Sequence, residues 1–161
     1  MMQSQAPNAV VESRGLDAVR VCYTAALLVS GSAAAASAQL ERAAAVAGAS
    51  EDWNQGIASD VDLRLLRCWV TRALREPVAD PHGGAASESA LDAAGCRDIY
   101  GALQALPLET RTMVALHFAG PLSYGQLAEV MGLPVEYVRD RLRTGRRTMR
   151  RDLVGCARVM S

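Results

Sequence analysis

Apolar side chains recur at helical rather than strand spacing along almost the whole chain. Leu16, Val19, Cys22, Tyr23, Ala26 and Leu27 fall on one wide face of a helix predicted over residues 10–29, and Gly31 supplies its stop. Residues 33–47 read as a second helix made largely of alanine, with Leu40 and Val46 as its few large apolar contacts, so its packing partner must approach closely. "GASEDWNQGIASD" reads as a loop, after which Asp60 or Asp62 starts a third helix carrying Leu63, Leu66, Trp69, Val70 and Leu74 as far as Pro77.

The stretch "PVADPHGGAASES", residues 77–89, combines two Pro, two Gly and small residues with almost nothing to bury, which is linker chemistry. Beyond it Ser89 can cap a helix running through Leu91, Ile99, Tyr100, Leu103 and Leu106, and a further helix spans about residues 107–118 before Gly120-Pro121 turns the chain. Strand-like alternation never exceeds a few residues, and neither an internal repeat nor a heptad run is present. The expectation is an all-α fold of two small helical modules: a disordered terminus over residues 1–9, a first module over 10–76, a flexible linker over 77–89 and a second module over 90–161.

The clearest local pattern is "LSYGQLAEVMGLPVEYVRDRLRTGRRTMRR", residues 122–151. Ser123 followed by Gln126 is a capping-box pair, opening a helix whose Leu127, Val130 and Met131 face inward. Gly132 permits a left-handed backbone and Pro134 suits the first turn of a new helix, so two helices are joined by a short sharp turn. In the second helix Val135, Val138 and Leu142 form the predicted buried stripe, continued near Met149, while Glu136, Tyr137, Arg139, Asp140, Arg141 and Arg143 stay outside. Such a helix is long enough to lie along a DNA major groove with its N-terminal end on base edges. The plainer reading, a solvated basic face paired with the acidic first half, explains the charge but not the cap, the glycine turn and the apolar triplet together.

Charge sharpens this picture. The formal net charge is zero, yet residues 1–110 carry 8 Arg against 13 Asp and Glu, and residues 111–161 carry 9 Arg against 4. A basic C-terminal half is the part that would meet a polyanion. All 17 basic residues are Arg, which coding bias explains better than chemistry does, so nothing functional follows from it. The four cysteines stand far apart with neither a CxxC pair nor a histidine at ligand spacing, so reduced structural thiols are expected and no metal or other cofactor. An enzyme is not expected either: His82 and His117 are isolated, no glycine loop cradles phosphate, and no nucleophile and base share a motif. Residues 21–38, "VCYTAALLVSGSAAAASA", end in a cleavage-like Ala36-Ser37-Ala38, but Glu12 and Asp17 spoil a basic leader and the apolar core is short; a buried helix is the better reading, which places the protein in the cytoplasm, away from membranes.

"ALQALPLETRTMVALHFAGPLSYGQLAEVMGLPVEYVRDRLRTGRRTMRR" resembles region four, the C-terminal domain, of bacterial extracytoplasmic-function sigma factors. The resemblance covers about fifty residues and rests on Leu106-Pro107, the "LSY" start, "LAEVMGLPV" and the arginine-rich tail, in the family's order. It implies recognition of a promoter −35 element and contact with the β flap of core RNA polymerase. Carried over by position, Tyr137, Arg139, Asp140 and Arg141 would face bases, and Arg143, Arg146 and Arg147 would lie near phosphates. The family commonly has Gly-Thr before the valine and a small polar residue after the arginine, where this chain has Glu136-Tyr137 and Asp140.

Residues 10–76 have the length and helix order of the family's region two, which binds the polymerase β′ clamp and melts the −10 element. The match there is degenerate: Ala35 to Ala38 stand where carboxylates are usual and Ala44 where an aromatic is. Strand opening needs aromatic side chains to hold flipped bases, and Trp53, Trp69 and Tyr23 are the candidates, with Trp69 set among Leu66, Val70 and Ala73 as a core residue would be. Three readings follow: a divergent working sigma factor; a sigma-like accessory regulator that has lost promoter melting; and a docking module for an anti-sigma factor or another sigma factor.

Overall fold

The computed structural model describes residues 8–48, 58–76 and 97–159, with side chains over 18–48, 63–76 and 99–153. Seven helices are described: α1 (Asn8–Ser30), α2 (Ala33–Gly48), α3 (Ala58–Arg75), α4 (Arg97–Gln104), α5 (Leu108–Ala119), α6 (Tyr124–Met131) and α7 (Val135–Val159). The fold is all-α, and the described residues contain no strand. The expected linker at 77–89, the cap at Ser89, Trp53, His82 and Cys96 lie outside the described residues. None of the described helices is long and apolar enough to cross a membrane.

The first three helices pack pairwise on one another, and α1 also lies against α4 and α5. The alanines of α2 are what let it approach: Ala36, Ala43 and Ala47 are completely buried. Val46, expected as one of its large contacts, instead points out and is 48% exposed. The reason is helical phase, since Ala36, Gln39, Ala43 and Ala47 repeat at spacings of three and four and take the packed face, leaving position 46 off it. Val19 on α1 is likewise exposed, and the buried surface of that helix runs through Val21, Cys22 and Ala25 to Val29 nearly all the way round.

α3 carries the polar centre of this first cluster. Trp69 is fully buried and its indole Nε1–H donates to Gln39 Oε1 at 2.9 Å, so the one buried amide of α2 is satisfied by the one buried indole of α3. Cys22 lies inside the same core, and burial pushes its thiol up to about 12.

The helices before and after residues 77–96 share one continuous buried core. Three contacts define the seam. Gly31 takes a left-handed backbone (φ 68) beneath the Tyr100 ring, Gly120 sits against Val21, and Arg67 on α3 pairs with Glu129 on α6 at 2.9 Å. That ion pair is half exposed and contributes at most about 1 kcal/mol, so apolar burial holds the seam.

Replacing Trp69 by Phe should leave the Gln39 amide buried without its donor and lower unfolding free energy by about 1–3 kcal/mol in urea titration. At pH 8 iodoacetamide should label the half-buried Cys68 well before Cys22, which should react only as the protein unfolds.

Candidate nucleic-acid interface

Helix α5 is the platform. Thr110 and the run from Thr112 to Leu116 are buried, so α5 is enclosed on nearly every side between α1 and the C-terminal helices. Its start is tied to the end of α4 by Arg111, whose guanidinium donates to the carbonyl oxygens of Leu103, Gln104 and Leu106. The predicted continuation of α4 to Leu106 is therefore corrected: the helix stops at Gln104, and Arg111 takes up carbonyls that further helix would have used.

The motif helices follow as the residues dictate. The Ser123 hydroxyl accepts from the Gln126 amide at 3.1 Å, and the Gln126 side chain accepts from the Ser123 amide at 3.0 Å, a reciprocal capping box. Gly132 ends α6 in the left-handed region (φ 67), and Pro134 stands immediately before α7 and accepts the amide of Val138. Leu127, Ala128 and Val130 bury the inner face of α6.

In α7 the buried stripe is Val138, Leu142, Gly145 and Met149. Val135 was expected in it and is 39% exposed, because the first turn of the helix reaches past the hydrophobic platform. A side chain at Gly145 would press on Val114 and Thr110 at about 3.0 and 3.1 Å, so glycine sets how closely α7 crosses α5.

The site residues sort into three groups. Arg139 and Glu136 form an exposed ion pair at 3.0 Å, and Arg143 and Asp140 form another at 2.9 Å. Tyr137 is not free on the surface: it is half-buried and its hydroxyl donates to Glu109 on α5 at 2.8 Å, while the Arg141 guanidinium lies over its ring, 4.9 Å from the centroid. Tyr137 thus positions Arg141. Arg146 meets the His117 Nε2 of α5 with no carboxylate partner among the described residues, and Arg147 is exposed.

His117 and Glu109 were not singled out in the sequence as parts of this surface. The His117 ring stacks on Tyr124 with centroids 6.1 Å apart, and Arg139 lies 5.8 Å from the centroid of that same tyrosine. Burial, then the neighbouring Arg146 charge, holds the His117 pKa below its ordinary value, so at neutral pH it is the uncharged acceptor. Both residues precede the motif by at least five positions, and no local pattern links them to α7.

Residues 102–151 match the family model of sigma-70, region 4. The chain has no significant match among curated proteins or among solved structures. Residues 102–151 are thus similar to sigma-70, region 4, and the helix-turn-helix of α6 and α7 lies within the matched segment, which points to a DNA-binding, sigma-factor-like role in transcription.

Ser123→Ala removes one half of the capping box and should cost about 1 kcal/mol of stability by thermal unfolding, with Gln126→Ala costing no more than that.

Proposed function

We infer that this protein is an initiation factor of the extracytoplasmic-function sigma type, whose α7 reads a promoter −35 element while the region 4 domain docks on the polymerase β flap. The carrying observation is the capped α6, the left-handed Gly132 and the exposed, arginine-bearing outer face of α7, within a segment matched by sigma-70, region 4. In this reading Arg139, Asp140 and Arg141 are turned to base edges, with Tyr137 behind Arg141. Arg146 and Arg147 lie toward phosphates, Arg143, expected there by position, is drawn by Asp140 to the base-reading side, residues 10–76 are a degenerate region two, and the protein works in the cytoplasm.

A second reading is favoured by Trp69. Base melting needs an aromatic face open to a flipped base, and Trp69 has no exposed surface and spends its N–H on Gln39. The protein would then be a sigma-like accessory regulator, acting with another sigma factor, on DNA, or with an anti-sigma factor.

The deciding experiment is run-off transcription with core RNA polymerase, with and without a resident sigma factor, on promoters upstream of neighbouring genes. Transcripts from core and this chain alone support the sigma factor; output altered only with the second sigma supports the accessory regulator; no effect on polymerase binding or output sinks both. In DNA binding, Arg139→Ala and Arg141→Ala should each weaken specific sites by about 1–3 kcal/mol. Arg146→Gln and Arg147→Gln should weaken all sequences and reduce the slope of log affinity against log salt by about one each. An unchanged footprint in all four variants removes the DNA reading.

A further inference from the structure

The two acids at the tip of α7 are the least expected residues in a helix that approaches DNA, and the structure gives them a common arrangement. Glu136 holds Arg139 through both carboxylate oxygens, at 3.0 and 3.1 Å, and Asp140 holds Arg143 at 2.9 Å. All four side chains are more than half exposed. They lie opposite the stripe of Val138, Leu142 and Met149, on the sector of α7 that faces solvent. The second pair repeats the first four residues later, about 6 Å further along the axis.

We propose that these two carboxylate–guanidinium pairs are base readers selective for G·C pairs about two base-pair steps apart. This rests on α7 being the recognition helix, and it deepens that reading by naming the sequence class it selects. A carboxylate held beside a guanidinium presents an acceptor next to donors. The major-groove edge of a G·C pair presents the complement, a donor at cytosine N4 beside acceptors at guanine O6 and N7. Thymine offers an acceptor and a methyl group, so a carboxylate facing it loses its water and gains no hydrogen bond. Adenine supplies the N6 donor but a single acceptor at N7, which halves what the arginine can make. Stacked base pairs rise about 3.4 Å each, so a 6 Å repeat on the helix meets every second pair.

The arrangement also explains the division of charge along α7. With Glu136 and Asp140 neutralising Arg139 and Arg143, the tip attracts phosphate weakly and discriminates by hydrogen bonding. Arg146, Arg147, Arg150 and Arg151 have no carboxylate partner among the described residues and are left to supply attraction to any duplex. Each acid therefore acts more against wrong sequences than for the right one.

The test is selection from a randomised duplex library by the full chain, alone at low salt and again with core RNA polymerase, followed by sequencing. The native chain should enrich G·C pairs at two positions about two apart. Glu136→Ala should relax one position and Asp140→Ala the other, each by about tenfold, while both raise affinity for unselected duplex. Both residues are exposed, so folding is not at issue, and circular dichroism checks it. A motif identical in the native chain and both variants, or A·T pairs at these positions, overturns the proposal and leaves DNA binding standing. No enrichment in either arm overturns DNA reading and the proposal together.

Discussion

Helix α5 has almost no side open to water between Thr112 and Leu116, and the rest of the molecule is arranged to keep it so. α1 covers it from one direction and α7 crosses it from another, at a separation that Gly145 makes possible. A helix buried on so many sides cannot shift without opening several interfaces at once, since packed cores respond to displacement by losing contacts outright. Two polar contacts that orient α7 refer back to α5: Glu109 at its start holds Tyr137, and His117 at its end holds Arg146.

Those two anchors lie near opposite ends of α5 and grip α7 at residues nine apart. Between them runs the buried stripe of Val138, Leu142 and Gly145, so the direction of α7 is set by apolar packing and its rotation by polar contacts on its flanks. The arginines of α7 consequently do not form one diffuse positive surface. Two are neutralised at the tip, one is stacked on Tyr137, one is held by His117, and Arg147, Arg150 and Arg151 are exposed. Exposed positive charge and ion-paired polar groups occupy different turns of the same helix.

In the first three helices small side chains set the packing. Alanine at positions 36, 43 and 47 lets α2 sit directly on its neighbours, and Trp69 turns inward to satisfy Gln39. Close packing of α2 comes from its alanines, and Trp69 on α3 has no face open to solvent. The shared core with α4 and α5 then uses the first half of the chain as a brace for the domain that carries the candidate interface.

How legible all this was depends on how local the interaction is. The helix class, the capping box of Ser123 and Gln126, the left-handed Gly132 and the inward Leu127, Val130, Val138 and Leu142 follow from the amino-acid order, because each depends on neighbours within one or two turns. Acids three residues ahead of arginines on an exposed helix face are local too, and the pairs Glu136–Arg139 and Asp140–Arg143 form accordingly. What needed the tertiary structure were contacts between residues far apart in the chain. Periodicity marked Val46, Val19 and Val135 as apolar but could not say where the neighbouring helix ends, and all three are exposed. Tyr137 looked free until Glu109, 28 residues earlier, was brought against it, and Arg146 until His117, 29 residues earlier, was. Sequence order determined which helices form and which face of each is apolar; only packing around α5 decided which polar side chains those faces bring together.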